Sequence, residues 1–204
     1  LSKNMDFSLF TTITEKPGVT GSYQQHYAGL LNLFEIADLL GFEAAFVAEH
    51  HLAGNAQAGY PLIPNPAIFL AAAAMRTKHL KLGPGVSVIP FHNPLSIVED
   101  YAMLDQLSEG RLVMGVGAGD SGLNYEMEGF CISAEERIPK YVEGLKIIEA
   151  AWNGATITHQ GNFFQYDKAS LNIALYQRPG PPIHIATGIF CFSPVAAAWS
   201  APCL

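Results

Sequence analysis

A chain of 204 residues, half of them apolar and 14% charged, is long enough to bury a hydrophobic core and lies well outside the disordered range. Its net charge of −7, with 11 scattered lysines and arginines, excludes the clustered basic surface that nucleic-acid binding relies on. A small-molecule partner is the better expectation. Residues 7–10 read as a first strand. Tyr23, Tyr27, Leu30, Phe34 and Ala37 then fall at helical spacing, with Gly41 placed to end the helix. Residues 44–48 are an entirely apolar second strand, the pattern of a parallel strand covered on both faces. A long polar loop leads to a helix over 65–75. Residues 80–88 form a third strand, in which Gly83 and Gly85 suggest close packing or a bulge. Pro94 opens a helix whose Ile97, Tyr101 and Leu104 share a face and which Gly110 ends. Residues 111–116 form a fourth strand, running into Gly115, Gly117 and Gly119.

Ser133 and Glu136 make a capping box for a helix carrying Ile138, Tyr141, Leu145, Ile148 and Trp152. Pro139 predicts that this helix begins later or kinks. Residues 156–158 and 163–166, separated by Gly161-Asn162, read as a hairpin outside the repeat. Residues 183–186 form a fifth strand, and Pro194 opens a fifth helix. Alternating strands and helices specify a parallel α/β fold, either a doubly wound open sheet or a closed barrel, and the pattern leaves that choice open. One domain over 1–204 is the expectation.

Three cysteines without metal-ligand spacing read as reduced thiols. The N-terminus carries no signal-peptide pattern, and the most apolar stretch, 61–75, is broken by Pro64 and Pro66 and is too short to span a bilayer. A cytoplasmic protein with no membrane segment is expected.

Four groups of residues carry candidate chemistry. Glu49-His50-His51 follows the second strand directly. It admits a metal site, structural histidines, or an acid/base pair at the mouth of a pocket, where imidazole exchanges a proton near neutral pH. No third ligand stands at convincing spacing, so no metal is expected. Gly115-Val116-Gly117-Ala118-Gly119 resembles a dinucleotide fingerprint without the third-glycine spacing. Small residues here let backbone amides and a flat ring approach closely, while a tight turn after a strand is the plainer reading. His92, in the loop Pro90-Phe91-His92-Asn93-Pro94, reads as a surface or packing residue. Ser193 opens the fifth helix, as a phosphate contact or as a plain cap.

The order of these motifs resembles the bacterial-luciferase-like flavin-dependent monooxygenases. Phe46-Val47-Ala48-Glu49-His50-His51 is similar to that family's second-strand motif, and Gly85-Val86-Ser87-Val88-Ile89-Pro90 through Asn93-Pro94 to Glu99-Asp100 to its third. Leu104-Asp105-Gln106-Leu107-Ser108-Glu109-Gly110-Arg111 followed by Gly115-Val116-Gly117 is the most specific match, and the segment from Ser193 to Trp199 resembles the phosphate-side loop. The resemblance runs from about Asp6 to Ala201. It implies a (β/α)8 barrel of the luciferase-like type that takes reduced FMN from a separate flavin reductase. Oxygen then adds at the flavin C4a carbon, and the resulting peroxyflavin oxidises a small organic substrate.

By position, the resemblance makes His50 and His51 catalytic and places Glu49, Asn93, Gly117, Ala118 and Ser193 at the cofactor. Glu49 is expected to orient His50 or cap the loop. Some members carry a phosphate-binding Arg where this chain has Ala118. A dimer is expected. The alternatives are an oxidoreductase of the same fold that uses a reduced deazaflavin coenzyme for hydride transfer, and a catalytically silent flavin-binding subunit. Only about five βα units are counted against the eight of a barrel. The expectation is therefore an incomplete barrel, from a truncated or frameshifted product or part of a longer protein, with apolar edges open to aggregation or pairing.

Overall fold

The computed structural model of the protein describes residues 6–15, 21–52, 60–120, 122 and 124–186. In chain order the elements are β1 (Ser8–Thr11), β2 (Thr14–Glu15), α1 (Tyr23–Leu39), β3 (Ala44–Val47), β4 (Tyr60–Pro61), α2 (Pro66–Ala74), β5 (Lys81–Pro84), β6 (Ser87–Val88), α3 (Pro94–Leu107), β7 (Met114–Gly117), α4 (Asn124–Gly129), α5 (Ala134–Trp152), β8 (Ile157–Gln160), β9 (Gln165–Ala169) and β10 (Ile183–Ile185). The fifth helix expected from Pro194 lies outside the described residues.

The helices begin where their caps dictate. Ser22 and Gln25 close a reciprocal capping box on α1, Asn65 caps α2, and Asn93 caps α3. A second box between Ser133 and Glu136 starts α5 at Ala134, not later as Pro139 predicted. Pro139 sits inside this helix, and the box and the apolar face around Tyr141, Leu145 and Ile148 outweigh its missing amide. At the other end of α1, Gly41 takes a positive φ of 77°, the conformation that glycine enters without a Cβ penalty.

Strand pairing resolves the architecture that the sequence left open. β1 pairs β3 and β3 pairs β5, all parallel; β6 pairs β7 and β7 pairs β10, again parallel. A parallel bridge between Leu82 and Leu112 joins the two groups. The parallel strands thus follow chain order, β1-β3-β5 and then β6-β7-β10, and among the described residues there is no reversal of the kind that defines a doubly wound sheet. This is barrel order. The expected third strand is not continuous. β5 stays with β3, and after Gly85-Val86, whose peptide is cis, β6 turns to β7. The fourth strand is also shorter than expected, because the stretch after Arg111 makes only the Leu112 bridge before Met114.

Side-chain alternation divides each strand between two faces. Ala45 and Val47 of β3, Leu82 of β5 and Met114 and Val116 of β7 join the buried layer beneath the helices, with Phe34, Leu70, Leu104, Leu145 and Ile148. Ala44, Phe46 and Val113 cluster on the opposite face. The segment Leu104 to Arg111 owes its distinctive pattern to anchoring. The Arg111 guanidinium donates to the carbonyls of Ser108, Leu80 and Ala74 and to the Thr77 hydroxyl, at 2.8 to 2.9 Å. Nearby, the Asp38 carboxylate accepts the amides of Lys78, His79 and Leu80. Both anchors stand at the N-terminal ends of the strands.

The hairpin β8–β9 packs on α5 through Glu143, whose carboxylate accepts the amides of Asn162, Phe163 and Phe164 and bonds His159. Burial pushes this carboxyl upward, but those amide and imidazole bonds outweigh it and hold it below the ordinary glutamate value of 4.5. A depressed folded value contributes stability that is fully present above the unfolded value and is lost as the pH falls through the folded one. The amides of Phe163 and Phe164 should therefore lose hydrogen-exchange protection as the pH falls below about 4.5. Glu143→Gln should flatten that dependence; an unchanged pH profile in the variant would count against the anchor. Among the described residues no helix is long and apolar enough to cross a membrane.

Candidate functional site

The C-terminal ends of β3, β6 and β7 converge on one rim, and Glu49 is its hub. Its carboxylate is buried, with 3% of the residue exposed. Oε1 lies 2.9 Å from His51 Nε2 and 2.7 Å from His92 Nε2, while Oε2 accepts the Val88 amide at 3.2 Å. Burial alone would raise this carboxyl, but the two imidazoles hold it below the usual glutamate range. Glu49, expected to orient His50 or cap the loop, bonds His51 and His92 instead of His50.

His50 is held by a second acid. Glu126, from α4, places Oε1 3.4 Å from His50 Nδ1 and accepts the His51 amide at 2.6 Å. The Glu126 contact raises the His50 imidazole above its ordinary value, against the opposing effect of burial. One-third of the His50 side chain remains exposed. With Nδ1 turned to Glu126, Nε2 is the nitrogen left for a ligand.

α4 ties the histidines to the glycine-rich rim. Glu126 reaches His50 and His51, and the next residue, Met127, fills the space that a side chain at Gly119 would need. Gly119 takes a φ of 83° there. Phe91 and Phe130 stack at 4.5 Å, and the His51 ring meets Phe130 edge-on at 4.7 Å. His51 is thereby fixed by carboxylate and aromatics together. It is 9% exposed, whereas His50 is the open one of the pair.

His92 corrects the sequence reading. The loop residue taken for surface or packing is drawn into the site by Glu49, which overcomes the effect of burial and raises its imidazole. The third ligand group that local spacing lacked thus arrives from 43 residues away. Glu126 was missed outright, because the six-residue α4 gives almost no periodic signal. Asn93 spends its side-chain oxygen on the Leu95 amide and the Tyr166 hydroxyl. Gly117 packs against Val86, and Ala118 stands half-buried after it. Arg137, at the start of α5, donates to the Gly119 carbonyl at 2.7 Å, bringing a cation to the loop where Ala118 supplies none. Ser193 lies outside the described residues.

The family model of luciferase-like monooxygenases matches residues 5–189. The chain belongs to this family. The oxygenase component of the flavin-dependent trigonelline monooxygenase of Acinetobacter baylyi is 33% identical over 187 residues, covering 89% of this chain and 49% of that protein. The crystal structure of the monooxygenase RslO1 from Streptomyces bottropensis is also 33% identical. It superposes with a TM-score of 0.82 over 90% of this chain and 54% of its own. An F420-dependent glucose-6-phosphate dehydrogenase of Nakamurella multipartita is 32% identical over 168 residues, 76% of this chain and 46% of that one. The chain spans about half the length of the curated relatives it matches. Its fold is therefore the luciferase-like (β/α)8 barrel in part, and the relatives are monooxygenases and oxidoreductases that use a flavin or deazaflavin.

Proposed function

We propose that this chain carries the histidine rim of a two-component monooxygenase that takes reduced FMN from a separate reductase and oxidises a small organic substrate with molecular oxygen. The observation that supports it most is the pairing of an open His50 with a buried Glu126, beside a rim of Gly117, Ala118 and Gly119. Gly117 and Gly119 carry no side chain, and Val86 and Met127 pack where one would stand, so a planar ring would meet this rim along its backbone. Reduced flavin, when bound, supplies the electrons that activate oxygen. The protein's part is to orient the ring, exclude water and place a proton donor. His50 Nε2 is that donor and acceptor, with Nδ1 steadied by Glu126. His51, packed against Phe130 and bonded to Glu49, shapes the wall behind it.

Anaerobic titration with reduced FMN, followed by mixing with oxygen, tests the reading. Saturable binding and a flavin reoxidation rate different from that of free reduced FMN are expected. A folded protein that leaves both unchanged would sink it. Arg137 should matter for the phosphate. Arg137→Ala is expected to weaken FMN binding by about tenfold, the size of a charge-assisted hydrogen bond, and to leave riboflavin unaffected. Equal weakening of both ligands would remove Arg137 from the phosphate.

A reduced deazaflavin acting as hydride donor is the second reading, favoured by the likeness to the F420-dependent dehydrogenase. Parallel titrations with the two reduced coenzymes separate them.

A further inference from the structure

We propose that Glu49, His51 and His92 form a binding site for a borderline divalent transition metal ion such as Zn2+. One carboxylate oxygen and two imidazole nitrogens lie within 4.8 Å of one another. Two imidazoles and a carboxylate are a donor set that zinc takes in catalytic sites, with a fourth position left open. The two nitrogens do not merely lie near Glu49. Both direct Nε2 at the same oxygen, at 2.9 and 2.7 Å, so the three donor atoms are already gathered, with each Nε2 proton given to Glu49 in the free protein.

Magnitudes favour the ion. Tetrahedral bonds of about 2.0 Å place ligand atoms roughly 3.3 Å apart. The nitrogens draw back from Glu49 by about half an ångström, and the two rings, whose donor atoms lie within 4.8 Å, rotate toward that same spacing. On binding, the Nε2 protons that bond Glu49 in the free protein are released or pass to Nδ1, and each ring offers the Nε2 lone pair to the ion. The supporting structure is in place. Glu49 is fixed by the Val88 amide on its other oxygen, and outer hydrogen bonds of this kind orient ligands. A cavity of about 20 Å³, enough for one water, adjoins Glu49 and His92 and is also lined by Ser87, Asp100 and Tyr101. The His92 side chain is 29% exposed, which gives the ion a path in.

Hard cations are the wrong class, since Mg2+ and Ca2+ demand oxygen ligands and more of them. A plain hydrogen-bonded hub is the competing account, and it has no affinity for zinc. The inference does not depend on the flavin reading, because the metal alone is the probe.

Tag-free full chain, without flavin, is titrated with Zn2+ against a chromophoric chelator, and with Co2+ for its visible d–d spectrum. One ion per chain is expected, with a low-coordinate Co2+ spectrum and no competition from Mg2+. Glu49→Gln and His92→Gln should each weaken Zn2+ by at least about tenfold, while His50→Ala leaves it unchanged. His92→Gln, on the exposed side, carries the test if the Glu49 variant does not fold. A folded wild type that binds no stoichiometric Zn2+, or binding unchanged in folded His92→Gln, overturns the site.

Discussion

On the proposed monooxygenase function, His50→Ala should lower flavin-dependent substrate oxidation by about 10²- to 10⁴-fold, the range by which a positioned acid or base accelerates proton transfer. Reduced FMN should still bind, because the rim formed by Gly117 and Ala118 is untouched. The separation follows from the two acids. Glu49 holds His51 and His92, and Glu126 holds His50, so removing the His50 ring leaves the Glu49 hub intact. It does leave Glu126 with one partner fewer, although the His51 amide still satisfies Oε1. Single-turnover oxidation with binding measured separately is the proper assay, since a fall in rate with unchanged affinity marks an interaction made during reaction. Loss of binding in parallel with rate would instead make His50 a packing residue.

Gly83→Ala should be the most damaging glycine-to-alanine change among the described residues. A Cβ at 83 would press into the Val113 carbonyl and stand 2.9 Å from the Phe46 ring. Backbone cannot yield as a flexible side chain can. The Val113 amide bonds the Leu82 carbonyl, and the Leu82 amide bonds that of Arg111, so the added methyl parts the seam that joins the two strand groups among the described residues. Overpacking on this scale costs about 3 kcal/mol. Gly29→Ala is the control: a Cβ there meets nothing within 4 Å, and alanine in mid-helix should gain roughly 0.5 to 1 kcal/mol. Denaturation midpoints of the two variants should move in opposite directions. A Gly83→Ala midpoint equal to wild type would mean that the seam is slack.

Elements governed by local rules were legible in the sequence. Pro94 and the Ser133–Glu136 box write helix starts into single residues, and the apolar run from Ala44 encodes a strand covered on both sides. Elements governed by partners were not. The division of the third strand depends on β5 and β6 choosing different neighbours, and Gly83 and Gly85 signal only that something approaches closely. The site divides likewise. Glu49, His50 and His51 announce themselves by adjacency. His92 and Glu126 enter through contacts 43 and 75 residues apart, which no local spacing records. Among the described residues the order of strands, rather than any one of them, excluded the doubly wound sheet.

Asp38 and Arg111 bind the polypeptide at one end of the strands, and the histidines and their acids gather at the other. Substitutions at the two ends share no partners, so their free energies should add. A library confined to the rim loops can then vary the site without eroding the scaffold. Stabilising changes made at the opposite end should carry over unchanged into every member of that library.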